Sequence, residues 1–304
     1  MRQASVRRWS ASPALKIPAV TELLFDQAAG LRKLLNQSRL RTIAIASAAP
    51  GAGRTTIAAN LAVALAQKGN DVLVLDAASG RHSAAWLLNA EPGADLLEGW
   101  RGSADVEQLV AEGRAGVRVV CAKAALRVLS SASAQDADDL ARLFHTLHQS
   151  AAVVLVDAPV GDLGLVAAAR ETVLVVGPQL PALTDSYRLL KRLHACGPRR
   201  VHVLVNRVAN PAQGDMIFGN LSSTSRRFLN LPLEFIGQLP DDARLARAAQ
   251  MRQPVVEAFG DAASASAFRD CADLLMRAAH RGEDGFVEFA HRLLDSARIL
   301  GTPN

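Results

Sequence analysis

The sequence predicts an α/β fold in which helices cover both faces of a doubly wound, mostly parallel sheet. Two observations predict it. Short apolar runs rich in β-branched residues alternate with helical patterns along most of the chain. A glycine-rich loop also lies directly between the first of these runs and the helical pattern that follows it.

Seven runs are typical of strands buried on both faces, because apolar residues predominate in each of them. They are 42–47, 71–76, 117–121, 152–157, 172–177, 201–206 and the weaker 232–237. Helical patterns fill most of the gaps, among them 54–68, 134–149, 183–195 and 264–279. Right-handed crossovers between parallel strands then distribute these helices over both faces of the sheet.

Charge is distributed unevenly along the 304 residues. Residues 1–40 contain 7 of the 34 basic residues and 2 of the 29 acidic ones, which leaves 27 of each in residues 41–304. Because the body is neutral, we expect no nucleic-acid partner in spite of the basic pI. The three scattered cysteines indicate free thiols in a reducing cytoplasm, and no apolar run is long enough to span a membrane.

Four segments follow from these patterns. Residues 1–20 are predicted to be a disordered basic arm, 21–40 an amphipathic helical element, 41–280 the nucleotide-binding domain, and 281–304 a C-terminal amphipathic helix. The apolar face of this last helix is formed by Phe286, Phe289, Leu293, Ala297 and Leu300. It could dock on the core or lie in a membrane surface, and the sequence leaves both alternatives open.

The loop between Ala48 and Thr56 reads AAPGAGRTT. Glycines let backbone N–H groups converge on phosphate oxygens, and the following helix N-terminus favours an anion. The predicted nucleotide-binding residues of this loop are Gly51, Ala52, Gly53, Arg54, Thr55 and Thr56. The usual motif has lysine where this chain has Arg54, and a planar guanidinium does not occupy the compact site of an ammonium.

Two predicted strands end in a carboxylate, at Asp76 and Asp157. The carboxyl ends of parallel strands meet at one edge of a sheet, so both side chains are placed to hold Mg²⁺ together with the Thr55 hydroxyl. Asn206 ends a third strand and is a candidate for contacting the base. A turn or capping role is the alternative for each of these three strand-end residues.

Residues 41–280 resemble the MinD/ParA family of deviant P-loop ATPases. The family loop KGGVGKTT is similar to APGAGRTT at 49–56, and the resemblance extends through AANLAVALAQKGNDVLVLD, LVDAPVG, GPQLPALTDSYRLLKRL and LVNRV. It implies ATP and Mg²⁺ as ligands, an ATP-dependent homodimer and an adenine contact at Asn206. It also implies a C-terminal helix that binds the membrane surface through Phe286, Phe289, Leu293 and Leu300.

Residues 25–35, FDQAAGLRKLL, resemble the DQAxxLR element of the flagellar-number regulators, the FlhG/FleN branch of that family. In that branch the element activates the GTPase FlhF, which implies partner-binding roles for Asp26, Gln27, Leu31 and Arg32. Flagellar switch-complex proteins and a flagellar transcription activator are further partners that the resemblance implies. Residues 226–257 are also similar to a pattern of this branch.

This chain departs from the family where hydrolysis is carried out. The family's signature lysine falls on Ala49, the loop lysine on Arg54, and the aspartate that positions the attacking water on Ala78. Because charge stabilisation and water positioning make up most of phosphoryl-transfer catalysis, we expect nucleotide binding to persist while hydrolysis is reduced. The residues that catalyse any remaining hydrolysis are unknown.

The resulting expectation is a MinD-like ATP-binding switch that regulates flagellar number and placement through FlhF. It would be cytoplasmic and peripheral at the inner face of the cytoplasmic membrane, with a polar position as one option. The alternatives are a fully active ATPase of the same branch, a scaffold that binds no nucleotide, and a ParA-like partitioning protein.

Overall fold

The computed structural model of the chain describes residues 40–78, 80, 83–129, 133–148, 151–197, 199–278 and 286–301. Eight strands form one sheet, in the spatial order β3-β4-β2-β5-β1-β6-β7-β8. The strands are β1 (Arg41–Ser47), β2 (Val72–Asp76), β3 (Val110–Glu112), β4 (Arg118–Cys121), β5 (Val153–Asp157), β6 (Glu171–Val176), β7 (Arg200–Val208) and β8 (Leu233–Pro240). The predicted mostly parallel α/β fold is therefore confirmed.

All seven predicted runs are strands, and they pair with one another in parallel. The exception is β3, which is antiparallel to β4 at one edge of the sheet. The sequence does not predict β3, because its three residues are only partly buried or exposed and are too few to show an alternating pattern.

The helices alternate with the strands. They are α1 (Arg54–Gln67), α2 (Ala84–Leu87), α3 (Leu96–Trp100), α4 (Val106–Leu109), α5 (Lys123–Val128), α6 (Ala134–His148), α7 (Leu163–Ala168), α8 (Leu180–Ala195), α9 (Pro211–Leu229), α10 (Ala243–Gln250), α11 (Val255–Ala258), α12 (Ala263–Arg277) and α13 (Phe286–Gly301), with a 3₁₀ turn at Arg114–Gly116. No helix of the described residues is both long and apolar enough to cross a membrane.

Side chains alternate between two apolar layers along each central strand. In β1, Ile43 and Ile45 pack with α1 and α12 in one layer, whereas Ala44 and Ala46 face the layer that contains α6 and α7. All seven residues of β1 are buried, as expected for a parallel strand covered on both faces. β1 thus lies buried inside the sheet, between β5 and β6, directly before the glycine-rich loop.

The predicted C-terminal helix forms and is docked on the core. α13 packs against α6 and α7, and Phe289, Ala290, Leu293 and Leu294 are fully buried. The Phe289 ring meets the ring of Phe144 edge to face, with centroids 5.6 Å apart. Phe289 and Leu293, which the membrane prediction assigns to a lipid-facing surface, are therefore core residues here. The side chains of Phe286 and Leu300 lie outside the described part of the chain.

A buried ion network joins the amino ends of three strands. The Arg41 guanidinium donates through Nε to Glu171 Oε1 at 2.8 Å and through a terminal nitrogen to Oε2 at 2.5 Å. His202 Nε2 and Glu171 Oε2 are hydrogen bonded at 2.9 Å. Burial raises the pKa of Glu171, but these bonds and charges outweigh it and hold that pKa at about 2, below its ordinary value of 4.5.

We predict that Glu171→Gln destabilises the protein in a pH-dependent manner. A carboxyl whose pKa is depressed by folding stabilises the native state above its unfolded pKa, and this stabilisation is lost as pH falls through the folded pKa. Glu171 should therefore contribute about 3 kcal/mol above pH 4.5, with most of it lost by pH 2. Denaturant unfolding at pH 7 and pH 3 measures the difference between the two proteins.

Asp185→Asn is the matched control, because Asp185 also pairs with an arginine, Arg188, at 3.0 Å, but its side chain is 38% exposed and the pair lies outside the Glu171 network. Its effect should be small at both pH values. An effect of Glu171→Gln that is equally large at pH 7 and pH 3 would contradict the assignment.

Candidate functional site

The glycine-rich loop connects the end of β1 at Ser47 to the start of α1 at Arg54. Gly51 and Gly53 have φ values of +76° and +93°, a region that side-chain-bearing residues rarely adopt. A Cβ at Gly53 would lie 2.4 Å from Nδ2 of Asn206, whereas one at Gly51 would meet nothing within 4 Å. Glycine is thus required at residue 53 both by the backbone conformation and by the close approach of Asn206.

The N-terminus of α1 is left available to an anion. Its N-cap residue, Gly53, provides no side-chain hydrogen bond, and the first turn contains no acidic residue. The first backbone N–H groups of a helix have no intrahelical partner and carry a partial positive charge. This geometry is that of a phosphate-binding loop.

Arg54 is turned towards a carboxylate. Its Nε donates to Oδ1 of Asp157 at 2.6 Å, and the two side chains are 13% and 0% exposed. Asp157 ends β5, the strand next to β1. The residue at the position of the loop lysine therefore forms an ion pair across the mouth of the loop. The sequence predicts Arg54 and Asp157 as separate phosphate and metal contacts, but the structure joins them to each other.

Asp76 is buried beside Asp157, its register partner on the adjacent strand. Its two carboxylate oxygens accept backbone hydrogen bonds, from Ala85 at 2.7 Å and from Ala78 at 2.9 Å. Burial raises the pKa of Asp76 to about 6, and repulsion by Asp157 contributes, although the two backbone bonds oppose the shift. Asp76 is thus occupied in fixing the chain that follows β2.

These contacts do not fit a magnesium site in which both carboxylates face the metal. Thr55 is half-buried at the second position of α1, and each oxygen of Asp76 already accepts one backbone hydrogen bond. Asp157 Oδ1 is held by Arg54, which leaves Asp157 Oδ2, a buried atom without a hydrogen-bond partner in the described part of the chain. Mg²⁺ requires near-octahedral oxygen ligands, and a guanidinium bound to the same carboxylate places a like charge beside the metal position.

Asn206 packs against the loop. Its Nδ2 donates to the carbonyl of Ala52 at 2.8 Å, while Oδ1 is buried and has no partner among the described atoms. A pocket of about 110 Å³ opens beside it, and its lining includes Gly53, Thr56, Asn206, Arg207, Pro240 and Asp242. The predicted base-contacting residue thus lines a pocket next to the loop. The contribution of β8 and α10 is not among the predicted site residues, although the resemblance of residues 226–257 was a signal for it.

The remaining predicted positions divide into two groups. Ala49 and Ala78 lie at partly exposed positions on the loop and after β2, where their methyl groups carry neither the charge nor the hydrogen-bonding atoms of lysine or aspartate. Asp26, Gln27, Leu31 and Arg32 lie outside the described residues, so their predicted role stays a prediction.

Comparison with known proteins identifies the family. The CobQ/CobB/MinD/ParA nucleotide binding domain matches residues 43–255. The antiactivator FleN of Pseudomonas aeruginosa is 30% identical over 244 residues, which cover 79% of this chain and 87% of that protein. The flagellum site-determining protein YlxH of Helicobacter pylori is 23% identical over 269 residues, covering 85% and 91%.

Solved structures show the same fold. The cell division ATPase MinD of Pyrococcus furiosus superposes with a TM-score of 0.60 at 23% identity, covering 79% of this chain and 99% of that one. MinD of Pyrococcus horikoshii, solved as a complex with Mg-ADP, gives a TM-score of 0.62 at 21% identity, covering 78% and 96%. The chain belongs to the CobQ/CobB/MinD/ParA family of nucleotide-binding proteins. Within that family, its similarity to the FlhG/FleN branch of flagellar regulators is confirmed.

Proposed function

We propose that this chain is a MinD-like ATP-binding switch that regulates flagellar number and placement, and that it hydrolyses ATP slowly or not at all. The observation that carries the proposal is the ion pair between Arg54, which follows the loop glycines, and Asp157 at the end of β5, beside a loop that keeps its phosphate-binding backbone. The loop retains what binding requires, whereas the side chain at the lysine position is directed to a neighbouring carboxylate.

Two further positions support slow hydrolysis. Ala49 lies where the family's signature lysine crosses the dimer interface, and Ala78 where an aspartate positions the attacking water. Phosphoryl transfer depends on fixed charge and on orientation of the nucleophile, and loss of one such group commonly costs about 10²–10³-fold in rate. The similarity to proteins named FleN and YlxH supports the flagellar assignment.

We expect turnover of the purified chain to be far below that of a variant with the family residues restored, Ala49→Lys combined with Arg54→Lys and Ala78→Asp. The restored variant regains both lysines and the water-positioning carboxylate, so its turnover should rise by about 10²-fold or more. Phosphate release, measured in the presence of lipid vesicles, compares the two proteins.

The control is saturable binding of a fluorescent ATP analogue to both proteins, which separates slow hydrolysis from failure to bind. Turnover of the unaltered chain that matches the restored variant and is abolished by Arg54→Ala would establish an active ATPase instead. Absence of saturable binding would favour a scaffold that uses no nucleotide. Salt-dependent DNA binding by residues 41–304 would favour a ParA-like partitioning protein.

We propose an FlhF-like GTPase as the partner of residues 21–40, and an ATP-dependent homodimer as the form that engages it. The support is the DQAxxLR resemblance at 26–32 together with the flagellar relatives. Flagellar switch-complex proteins and a flagellar transcription activator are further proposed partners.

Asp26→Ala combined with Arg32→Ala should abolish stimulation of the GTPase while leaving thermal stability unchanged. Both substitutions remove a charge from the proposed contact and none from the nucleotide-binding domain. Lys33→Ala is the matched control, because it removes a charge from the same segment outside the motif. The readout is GTP hydrolysis by the partner, and stimulation that survives the double substitution would reject the contact.

For the membrane we propose peripheral attachment at the inner face of the cytoplasmic membrane through α13. Phe289 and Leu293 are buried in the docked helix, so they can contact lipid only after α13 leaves α6 and α7. The membrane and the protein core then compete for the same apolar face of α13. Weaker packing of α13 on the core should therefore favour membrane binding.

Phe144→Ala should increase the fraction of protein that sediments with anionic liposomes, because it removes the ring that meets Phe289. Phe268→Ala is the matched control: it also deletes a fully buried ring, at a similar cost of about 3–5 kcal/mol, but on the opposite face of the sheet. Truncation after Gly285 should abolish sedimentation. Equal sedimentation of the Phe144 and Phe268 variants would contradict release of α13.

A further inference from the structure

In the ion pair between Arg54 and Asp157, the Arg54 guanidinium occupies the position beside the carboxylate where a bound cation would lie. The Nε–Oδ1 distance is 2.6 Å, Asp157 is fully buried, and Arg54 is largely so. A buried carboxylate needs a positive partner, and arginine stays charged at every physiological pH. In this chain the cation next to Asp157 is thus a side chain of the loop itself.

The pair uses only part of the guanidinium. A guanidinium carries five N–H donors, and Nε supplies one of them to Asp157. The terminal nitrogens of Arg54 have no hydrogen bond to any other described residue, and Arg54 begins α1, directly after the loop glycines. One planar group can therefore donate to Asp157 on one side and to phosphate oxygens on another, a geometry to which arginine is suited and lysine is not.

The guanidinium already occupies the cation position beside Asp157. Both oxygens of Asp76 accept backbone hydrogen bonds, and Asp157 retains only Oδ2 without a partner among the described residues. A divalent cation there would lie against the carboxylate that already holds a guanidinium. Two cations competing for one buried carboxylate repel each other strongly in a poorly solvated site.

We propose that Arg54 replaces Mg²⁺ in this chain: its guanidinium bridges Asp157 and the nucleotide phosphates, so that nucleotide binds with little dependence on the metal. Asp157 is then a positioning residue for Arg54 and not a ligand of the metal or its waters. The inference rests on the proposed nucleotide-binding function and specifies which charge neutralises the phosphates.

The test is a titration of the full chain with N-methylanthraniloyl-ATP, in excess Mg²⁺ and in excess EDTA. For the unaltered chain we expect the two Kd values to agree within about threefold. Arg54→Lys is the matched variant, because it keeps the charge and restores the family residue. Lysine makes no bidentate bridge, so EDTA should weaken its binding by about tenfold or more.

Asp157→Asn provides a second variant that keeps the shape of the side chain. In the Arg54 background it should weaken binding to the same extent with and without Mg²⁺, because it releases the guanidinium. If EDTA weakens binding to the unaltered chain as much as to Arg54→Lys, the inference is overturned and the nucleotide-binding function stands. If neither condition gives saturable binding to the folded chain, both are overturned.

Discussion

A buried carboxylate at the end of a central strand requires a positive charge, and the identity of that charge decides the chemistry of this site. Asp157 is fully buried between β1 and β2, where water cannot solvate it. In this chain Arg54 supplies the charge from the adjoining loop. This one contact links three features of the site. They are the position of the phosphate loop, the direction of the Arg54 side chain and the accessibility of Asp157 to a metal. The carboxylate of its neighbour Asp76 instead accepts hydrogen bonds from backbone N–H groups of the chain that follows β2.

The fold could be predicted because burial on both faces is visible in the sequence. The central residues of β1, β5 and β6 are apolar, and all residues of these three strands are buried. The loop could be predicted because a strand, glycines and a helix follow one another within a few residues. Neither the apolar runs nor the strand–glycine–helix pattern indicates the direction in which a side chain points. The sequence therefore placed Arg54 and Asp157 at one edge of the sheet, but could not show that they contact each other, because this depends on the packing of β1 against β5.

Asn206 and α13 show the same limit in different ways. The sequence predicts Asn206 as the end of a strand, whereas β7 continues to Val208. An asparagine there can face a ligand or its own protein, and its Nδ2 donates to the carbonyl of Ala52 in the loop. An amphipathic helix has one apolar face whether its partner is a core or a membrane, since both partners offer hydrocarbon. The pattern at 286–300 predicted the helix and its face. The choice of partner depends on the groove between α6 and α7, which is assembled from residues more than a hundred positions away along the chain.

The positions at which this chain departs from its family do not correspond to general decay of the site. Gly51 and Gly53 keep the positive φ values that shape the loop, and Gly53 also has no room for a side chain beside Asn206. Loss of either glycine would strain the backbone that receives phosphate. The replaced positions, Ala49, Arg54 and Ala78, are instead those whose side chains would act on the transferred phosphoryl group or the attacking water. Under the proposed function, a site that keeps its phosphate-binding backbone and lacks the family side chains at these positions is suited to a nucleotide that stays bound as a signal.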